Sequence, residues 1–148
     1  MLHEGRLKCA ALAGIGFVRG DLCRPPFRER SFDAITMAYG LRYLGDLSES
    51  LADIHRMLKP GGVFVCLDFG HPGNLWYRRL CLGYLVAFGT LWGLLLHRRA
   101  DTYWHIVESL RAYPGQGAVA RLMKDAGFAD ITVEEQLGGI SAIIRGAK

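Results

Sequence analysis

The segment from Ser31 to Gly70 limits the fold more than any other part of the chain. Phe32-Asp33-Ala34-Ile35-Thr36-Met37-Ala38 is short and apolar, and it predicts a strand buried on both faces. Asp46 followed three residues later by Glu49 has the pattern of a capping box, which opens a helix. Leu51, Ile54, His55 and Leu58 then repeat at i, i+3, i+4, i+7, the spacing of one helical face. Pro60-Gly61-Gly62 cannot continue that helix and releases the chain into a second apolar strand over residues 63–69. Strand, helix and strand in that order build a parallel α/β sheet, with its ligand crevice beyond the C-terminal strand ends.

A chain of 148 residues is long enough for one domain with a real core, and 51% of it is apolar. The net charge is +4, with Lys and Arg spread along the whole length, so no block marks a nucleic-acid surface. A basic chain with strongly apolar segments suits an anionic membrane surface equally well. Cys9, Cys23, Cys66 and Cys81 form no C-x-x-C pair, and Cys66 and Cys81 lie in apolar runs, which fits free thiols in a reducing compartment. Residues 1–15 carry charges and no continuous apolar stretch, unlike a secretory leader.

Elsewhere the pattern predicts a short helix within residues 1–15, ended by Gly14 and Gly16, and a short strand at residues 17–20 before the extended Pro25-Pro26 loop. Residues 80–96 run seventeen positions without a charge between Arg78-Arg79 and Arg98-Arg99. A spanning helix needs about 20 apolar residues. The run is better suited to covering an apolar cleft or dipping into a membrane interface. Helices are expected at 101–110 and 117–126, the second stopped by Gly127. Strands at 131–137 and 140–145 are joined through Gly138-Gly139, a connection suited to an antiparallel hairpin. Without repeats or linkers, residues 1–148 read as a single domain, with 75–110 as a helical cover.

Phe32 through Arg42, His55-Arg56-Met57-Leu58-Lys59-Pro60-Gly61-Gly62, Asp101-Thr102-Tyr103 through Glu108-Ser109-Leu110, and then Pro114, Gln116 and Asp125-Ala126-Gly127-Phe128 occur in a recognisable order. Together they resemble the ubiquinone/menaquinone biosynthesis C-methyltransferases, class I enzymes that use S-adenosylmethionine. The Lys-Pro-Gly-Gly element is common in the wider class. Tyr39-Gly40-Leu41-Arg42 with the later Tyr103 and Glu108-Ser109 is far more specific. The resemblance implies a Rossmann-like methyltransferase sheet with a C-terminal antiparallel hairpin. It also implies that the first two strands, the glycine-rich cofactor loop and the acidic ribose-binding strand end lie outside these residues, so a C-terminal fragment is expected. Gly14-Ile15-Gly16 does not replace that loop, because it leads into a predicted strand and the family loop leads into a helix.

The resemblance places cofactor contacts at Asp21, Leu22 and Ala38. A carboxylate suits the adenine N–H donor, although Asp21 also reads as a turn residue and Ala38 as a small core residue. It places the acceptor near Tyr39, Gly40, Tyr103 and Ser109, with Arg42 holding a quinol or phenolate oxygen through its cationic fork. Tyr103 reads equally as a core tyrosine. Methylating a ring carbon requires a deprotonated ring hydroxyl and in-line approach of the methyl group. Candidate bases are His71, Asp68, Asp101 and His105, of which His71 stands nearest the crevice; it reads equally as a surface turn histidine. No metal is predicted, because the five histidines lack ligand spacing. The partners implied are a prenylated quinol and a membrane surface, with a homo-oligomer or biosynthetic complex as a further expectation and no nucleic acid. The implied place is the cytoplasm, peripheral to the inner face of the membrane. Two alternatives share these residues: a methyltransferase for another small or lipid acceptor, and a non-catalytic membrane-associated remnant.

With neighbouring strands missing, residues 1–30 are expected to be mobile, misplaced, or completed by another chain. Native-state hydrogen exchange should therefore show weak protection at residues 17–20, and strong protection there in a monomer would refute the expectation.

Overall fold

The computed structural model describes residues 2–9, 11–21, 23–97, 108–110 and 112–148, with the side chains of 2 and 92–97 excepted. Its helices are α1 (Leu2–Lys8), α2 (Leu47–Met57), α3 (Leu75–His97) and α4 (Gln116–Asp125). The strands are β1 (Phe32–Ala38), β2 (Leu58–Phe69), β3 (Ala129–Gln136) and β4 (Ser141–Ala147). Among the described residues they form one sheet in the order β1-β2-β4-β3. β1 and β2 are parallel, as the strand–helix–strand pattern requires, and the other two pairings are antiparallel.

Local chemistry explains the central unit. Asp46 is extended and its Oδ1 accepts from the backbone N–H groups of Ser48 at 2.8 Å and Glu49 at 3.1 Å, which satisfies two orphan donors of α2. Leu51, Ile54 and Met57 are buried along one face. The helix stops at Met57, and β2 begins at once, five residues earlier than the apolar pattern predicts. Pro60-Gly61-Gly62 lies inside this strand as an outward bow. Phe32 pairs with Leu58 while Ala34 pairs with Val63, so the residues between them on β2 have no register partner. Gly61 sits at φ +77°, and a Cβ on Gly62 would come within 2.9 Å of the Lys59 carbonyl.

The core lies on one side of the sheet. In β2, Phe64, Cys66 and Asp68 are buried, whereas Val63, Val65 and Leu67 are only half-buried. Helices α2 and α4 supply Leu51, Ile54, Met57, Val119 and Met123, which pack with Phe64, Phe128 and Ile144. β1 is an outer strand, and its Asp33, Ala34, Thr36 and Ala38 are exposed. It is therefore not buried on both faces as expected. Its apolar composition reports its packing toward β2 and the helices through Ile35 and Met37, and nothing described covers the opposite face.

Two further expectations are corrected. Residues 17–20 form no strand, and Val18 is exposed; upstream of β1 the described residues show only an isolated bridge between Asp21 and Arg24. The hairpin connection is longer than Gly138-Gly139. It is a 3-10 turn over Leu137–Gly139 followed by Ile140, with Leu137, Gly138 and Gly139 all at positive φ. Most of the expected 101–110 helix lies outside the described residues; Glu108, Ser109 and Leu110 are helical.

α3 opens with a cap that the sequence pattern did not show: Asn74 Oδ1 accepts from Trp76 and Tyr77 N–H at 2.9 and 3.2 Å. Trp76, Leu80, Tyr84, Phe88 and Leu91 form an exposed apolar stripe at near-helical spacing along it. Among the described residues, no helix is long and apolar enough to cross a membrane.

Phe64 is fully buried at the centre of the core. Phe64→Ala should lower unfolding stability by about 3–5 kcal/mol, read as a shifted urea midpoint.

Candidate functional site

The turn after β1 begins with Tyr39 at φ +54°, a conformation that costs a bulky side chain on the order of 1 kcal/mol. Its N–H donates to the Leu67 carbonyl at 2.8 Å, and its half-exposed ring packs on Phe69 at 5.2 Å. Gly40 then starts the 3-10 turn Leu41–Tyr43, and a Cβ there would meet Met37 at 3.0 Å. The reversal delivers Arg42 inward, over the end of β2.

Arg42 and Asp68 are the buried charges of this site, with side-chain exposures of 7% and 2%. Asp68 Oδ2 accepts from Leu41 N–H at 3.1 Å and Oδ1 from Phe69 N–H at 2.8 Å, so one carboxylate ties the turn to the end of β2. Arg42 Nη1 lies 3.7 Å from Asp68 Oδ1, close enough for charge pairing but too far for a hydrogen bond. The guanidinium is stacked between the Tyr43 and Phe69 rings at 5.0 and 4.7 Å from their centroids. Its buried Nε and Nη1 have no hydrogen-bond partner among the described residues, and neither has the buried Tyr113 hydroxyl. Asp68 is thus a clamp on Arg42 and the turn, not a free base. Below it, burial first and then the Asp68 charge push the Cys66 thiol up to about 12, which keeps it protonated and inert.

Two cavities flank this pair. One, of about 470 Å³, is bordered by Arg42, Asp46, Ser48, Tyr113 and Leu122. The other, of about 480 Å³, lies between the end of β2 and α3 and is walled by Phe69, His71, Cys81, Tyr84 and Leu110. Its lining is almost wholly apolar. His71 stands on the boundary, with its ring edge-on to Tyr113 at 6.0 Å.

His71 is held from its backbone. Gln116 Oε1 accepts from His71 N–H at 2.7 Å, and Gln116 Nε2 donates to the His71 carbonyl at 3.1 Å and to Glu135 Oε1 at 2.6 Å. His71 Nε2 is 3.5 Å from the Leu110 carbonyl and 3.4 Å from Arg78 Nη2. Gly115, at φ +86°, allows the chain past this ring, because a Cβ would lie 2.7 Å from Nδ1. Burial and then the Arg78 charge lower the His71 pKa, which favours the neutral imidazole.

The structure therefore brings Tyr39, Gly40, Arg42 and His71 to one end of the sheet, and Ala38 lies exposed at the tip of β1. Ser109 is half-buried, and its carbonyl accepts from Tyr113 N–H at 3.0 Å. Leu22, Asp101, Tyr103 and His105 lie outside the described residues. Asp21 is exposed, and its Oδ1 accepts from Cys23 N–H at 2.9 Å, so in this structure its side chain makes a turn. Sequence reasoning gave no role to Tyr113 and no bracketing role to Gln116. The adjoining Pro114-Gly115 pair was legible as a helix break, a signal for a special local path but not for what it brings together. Among the described residues, no group of three or more His, Cys, Asp or Glu side chains is placed to hold a metal ion.

This architecture recurs in solved structures. A SAM-dependent methyltransferase from Aquifex aeolicus aligns with a TM-score of 0.63 at 15% identity, covering 98% of this chain and 60% of its own. The trans-methyltransferase CalH, in complex with SAH, aligns at 0.63 with 19% identity over 98% of this chain and 39% of its own. The fold is thus that of S-adenosylmethionine-dependent methyltransferases. In sequence, the model of the ubiE/COQ5 methyltransferase family matches residues 1–148, so the chain belongs to that family. "Ubiquinone/menaquinone biosynthesis C-methyltransferase UbiE" from Ectopseudomonas mendocina is 38% identical over all of this chain and 59% of its own length. "Demethylmenaquinone methyltransferase" from Geobacillus kaustophilus is 33% identical over 98% of this chain and 62% of its own. The Bos taurus "2-methoxy-6-polyprenyl-1,4-benzoquinol methylase, mitochondrial" is 35% identical over all of this chain and 46% of its own. The chain spans about half to three-fifths of the length of these relatives.

The two lowered histidines give a pH prediction. In His55 and His71 alike, burial and then a nearby cation (Lys148 or Arg78) bring the pKa below the ordinary 6.5. The unfolded chain binds these protons first, so stability should be full above about pH 6.5 and fall as pH drops toward the lowered folded values. Urea midpoints measured across that window should decline in the wild type, and His55→Gln/His71→Gln should flatten the decline.

Proposed function

We propose that the protein to which this chain belongs is a C-methyltransferase of quinone biosynthesis, transferring a methyl group from S-adenosylmethionine to a ring carbon of a prenylated quinol. The observation that carries the proposal is the caged cation Arg42, set between a mixed cavity and an apolar one at the end of a methyltransferase sheet. The relatives' names support the substrate class, since they name demethylmenaquinone and a polyprenyl benzoquinol.

The residues described here fit one wall of a site for S-adenosylmethionine. The exposed tip of β1 at Ala38 and the open turn at Tyr39-Gly40 present backbone at the strand ends, where nucleotide-like ligands of α/β sheets lie. Asp21 and Leu22 would hold its adenine, which requires Asp21 to exchange its contact with Cys23 N–H. When bound, the group supplies an electrophilic methyl.

The chain's own residues supply the acceptor side. Arg42 remains cationic and stabilises a ring oxygen as phenolate, raising electron density at the neighbouring carbon. His71, kept neutral by burial, accepts the hydroxyl proton directly or through a water. Tyr39, Gly40 and Ser109 would border the acceptor, the role the resemblance also implies for Tyr103, which lies outside the described residues. The apolar cavity under α3 takes the start of the prenyl chain, and the exposed stripe on α3 rests at a membrane surface, consistent with a cytoplasmic enzyme peripheral to the inner face. Association with further copies or a biosynthetic complex belongs to the same reading.

The test joins residues 1–148 to the preceding portion of the Ectopseudomonas mendocina relative and follows a labelled methyl group. S-adenosylhomocysteine should bind the hybrid and bind the 148-residue chain weakly or not at all, by isothermal titration. The hybrid should label a prenylated benzoquinol or naphthoquinol, and Arg42→Ala should reduce that rate by about a hundredfold or more. A folded hybrid that binds S-adenosylhomocysteine but labels neither quinol overturns the acceptor reading.

A further inference from the structure

We propose that the cavity bordered by Arg42 and Tyr113 is an oxygen-recognition subsite, in which the Tyr113 hydroxyl donates to the phenolate oxygen of an aromatic ligand beside the Arg42 guanidinium. The inference rests on the quinol reading and deepens it, by assigning the aromatic head to this cavity and the apolar tail to the neighbouring one.

Three observations carry it. The Tyr113 hydroxyl and Arg42 Nε and Nη1 are buried polar groups with no hydrogen-bond partner among the described residues. Buried donors are ordinarily satisfied, and leaving several unpaired in one place costs stability, so such a group marks a site that something else completes. Both side chains border the same cavity of about 470 Å³, large enough for a substituted aromatic ring.

The second observation is donor type. Arg42 has only donors, and a phenol that has a donor still to satisfy needs an acceptor, so the ligand atom they share is electron-rich and preferably anionic. A carboxylate already faces Arg42 at 3.7 Å, but Asp68 is committed to Leu41 and Phe69 N–H groups and does not reach hydrogen-bond distance. It faces the cation without hydrogen-bonding to it, so Arg42 Nε and Nη1 stay unpaired.

The third is pre-organisation. Arg42 is stacked between two rings, and Tyr113 is fixed through its N–H bond to the Ser109 carbonyl and its edge contact with His71. The Tyr113 pKa is raised by burial and by the nearby Asp68 and Cys66 groups, so its hydroxyl remains protonated as a donor. His71, edge-on to Tyr113, and Phe69, whose ring lies under Arg42, line the neighbouring apolar cavity, so a ring held at Arg42 and Tyr113 would lie beside the cavity assigned to its tail.

The test titrates the 148-residue chain with 4-nitrophenol, whose phenolate absorbs separately from the neutral form, and with nitrobenzene, which lacks the hydroxyl. The wild type should bind the phenolate at least tenfold more tightly than the neutral phenol. Tyr113→Phe should weaken phenolate binding about ten- to a hundredfold, the range for a hydrogen bond to a charged group. It should leave nitrobenzene binding unchanged and the unfolding midpoint the same or higher, since an unpaired buried hydroxyl is removed. Equal loss of both probes, or a lowered unfolding midpoint, would overturn the proposal by making Tyr113 a packing residue. Phenolate preference that depends on Arg42 but not on Tyr113 would overturn this inference and leave the quinol reading intact. Absence of saturable phenolate binding by the wild type would overturn this inference, while the quinol reading stands or falls on methyl labelling by the hybrid.

Discussion

The carboxylate of Asp68 organises the end of the sheet where the candidate site lies. It is almost completely buried, accepts from two backbone N–H groups and faces the one guanidinium buried beside it. Those contacts hold the turn after β1 against the end of β2, where Arg42 lies over the Tyr43 and Phe69 rings. A buried ion pair contributes little net stability, because desolvation offsets the attraction, but removing one partner is costly. Specificity of geometry is the return. The cation arrives at a defined place with its remaining donors unspent.

The helices build this arrangement indirectly. α2 and α4 cover one face of the sheet and pack around Phe64, which keeps β2 in register with β1. The glycine and proline breaks then bring separate loops together. Gly115 passes the His71 ring at a distance no side chain allows, and Gln116 grips both backbone polar groups of His71. Stability on one face and ligand-directed groups at one end are thus products of the same strand alternation. The opposite face, with Ala34, Thr36 and Ala38 exposed, is where the observed sheet differs most from a fully covered α/β layer.

Much of the framework was legible in the residue order. Asp46 with Glu49, followed by the Leu51, Ile54, Leu58 spacing, specified α2 because caps and helical periodicity are local effects. Arg42 and Tyr39-Gly40 were identifiable through the pattern they share with a family, and the turn between β1 and α2 places them at the strand ends. Residues 17–20 were not legible in the same way: Phe17-Val18 suits a strand, but a strand exists only when a neighbour pairs with it, and none is described there. Pro60-Gly61-Gly62 was read as a stop before β2 and is instead a bow within it, since the C-terminal residue Lys148 bonds to Gly61 and Gly62. Tyr113 gave no signal, because an isolated tyrosine ahead of Pro114-Gly115 does not reveal whether its hydroxyl will find a partner.

By itself the sequence determined the parallel β1–β2 unit with α2 between its strands, the antiparallel ending and the family, all of which follow from periodicity, caps, breakers and motif order. Tertiary structure decided which face is buried, that Asp68 ties the turn after β1 to the end of β2, and that Arg42 and Tyr113 line one cavity with polar atoms that have no hydrogen-bond partner among the described residues. Those facts depend on contacts between residues 26 to 71 positions apart, and the desolvation that gives them their energy exists only once the chain has closed around them.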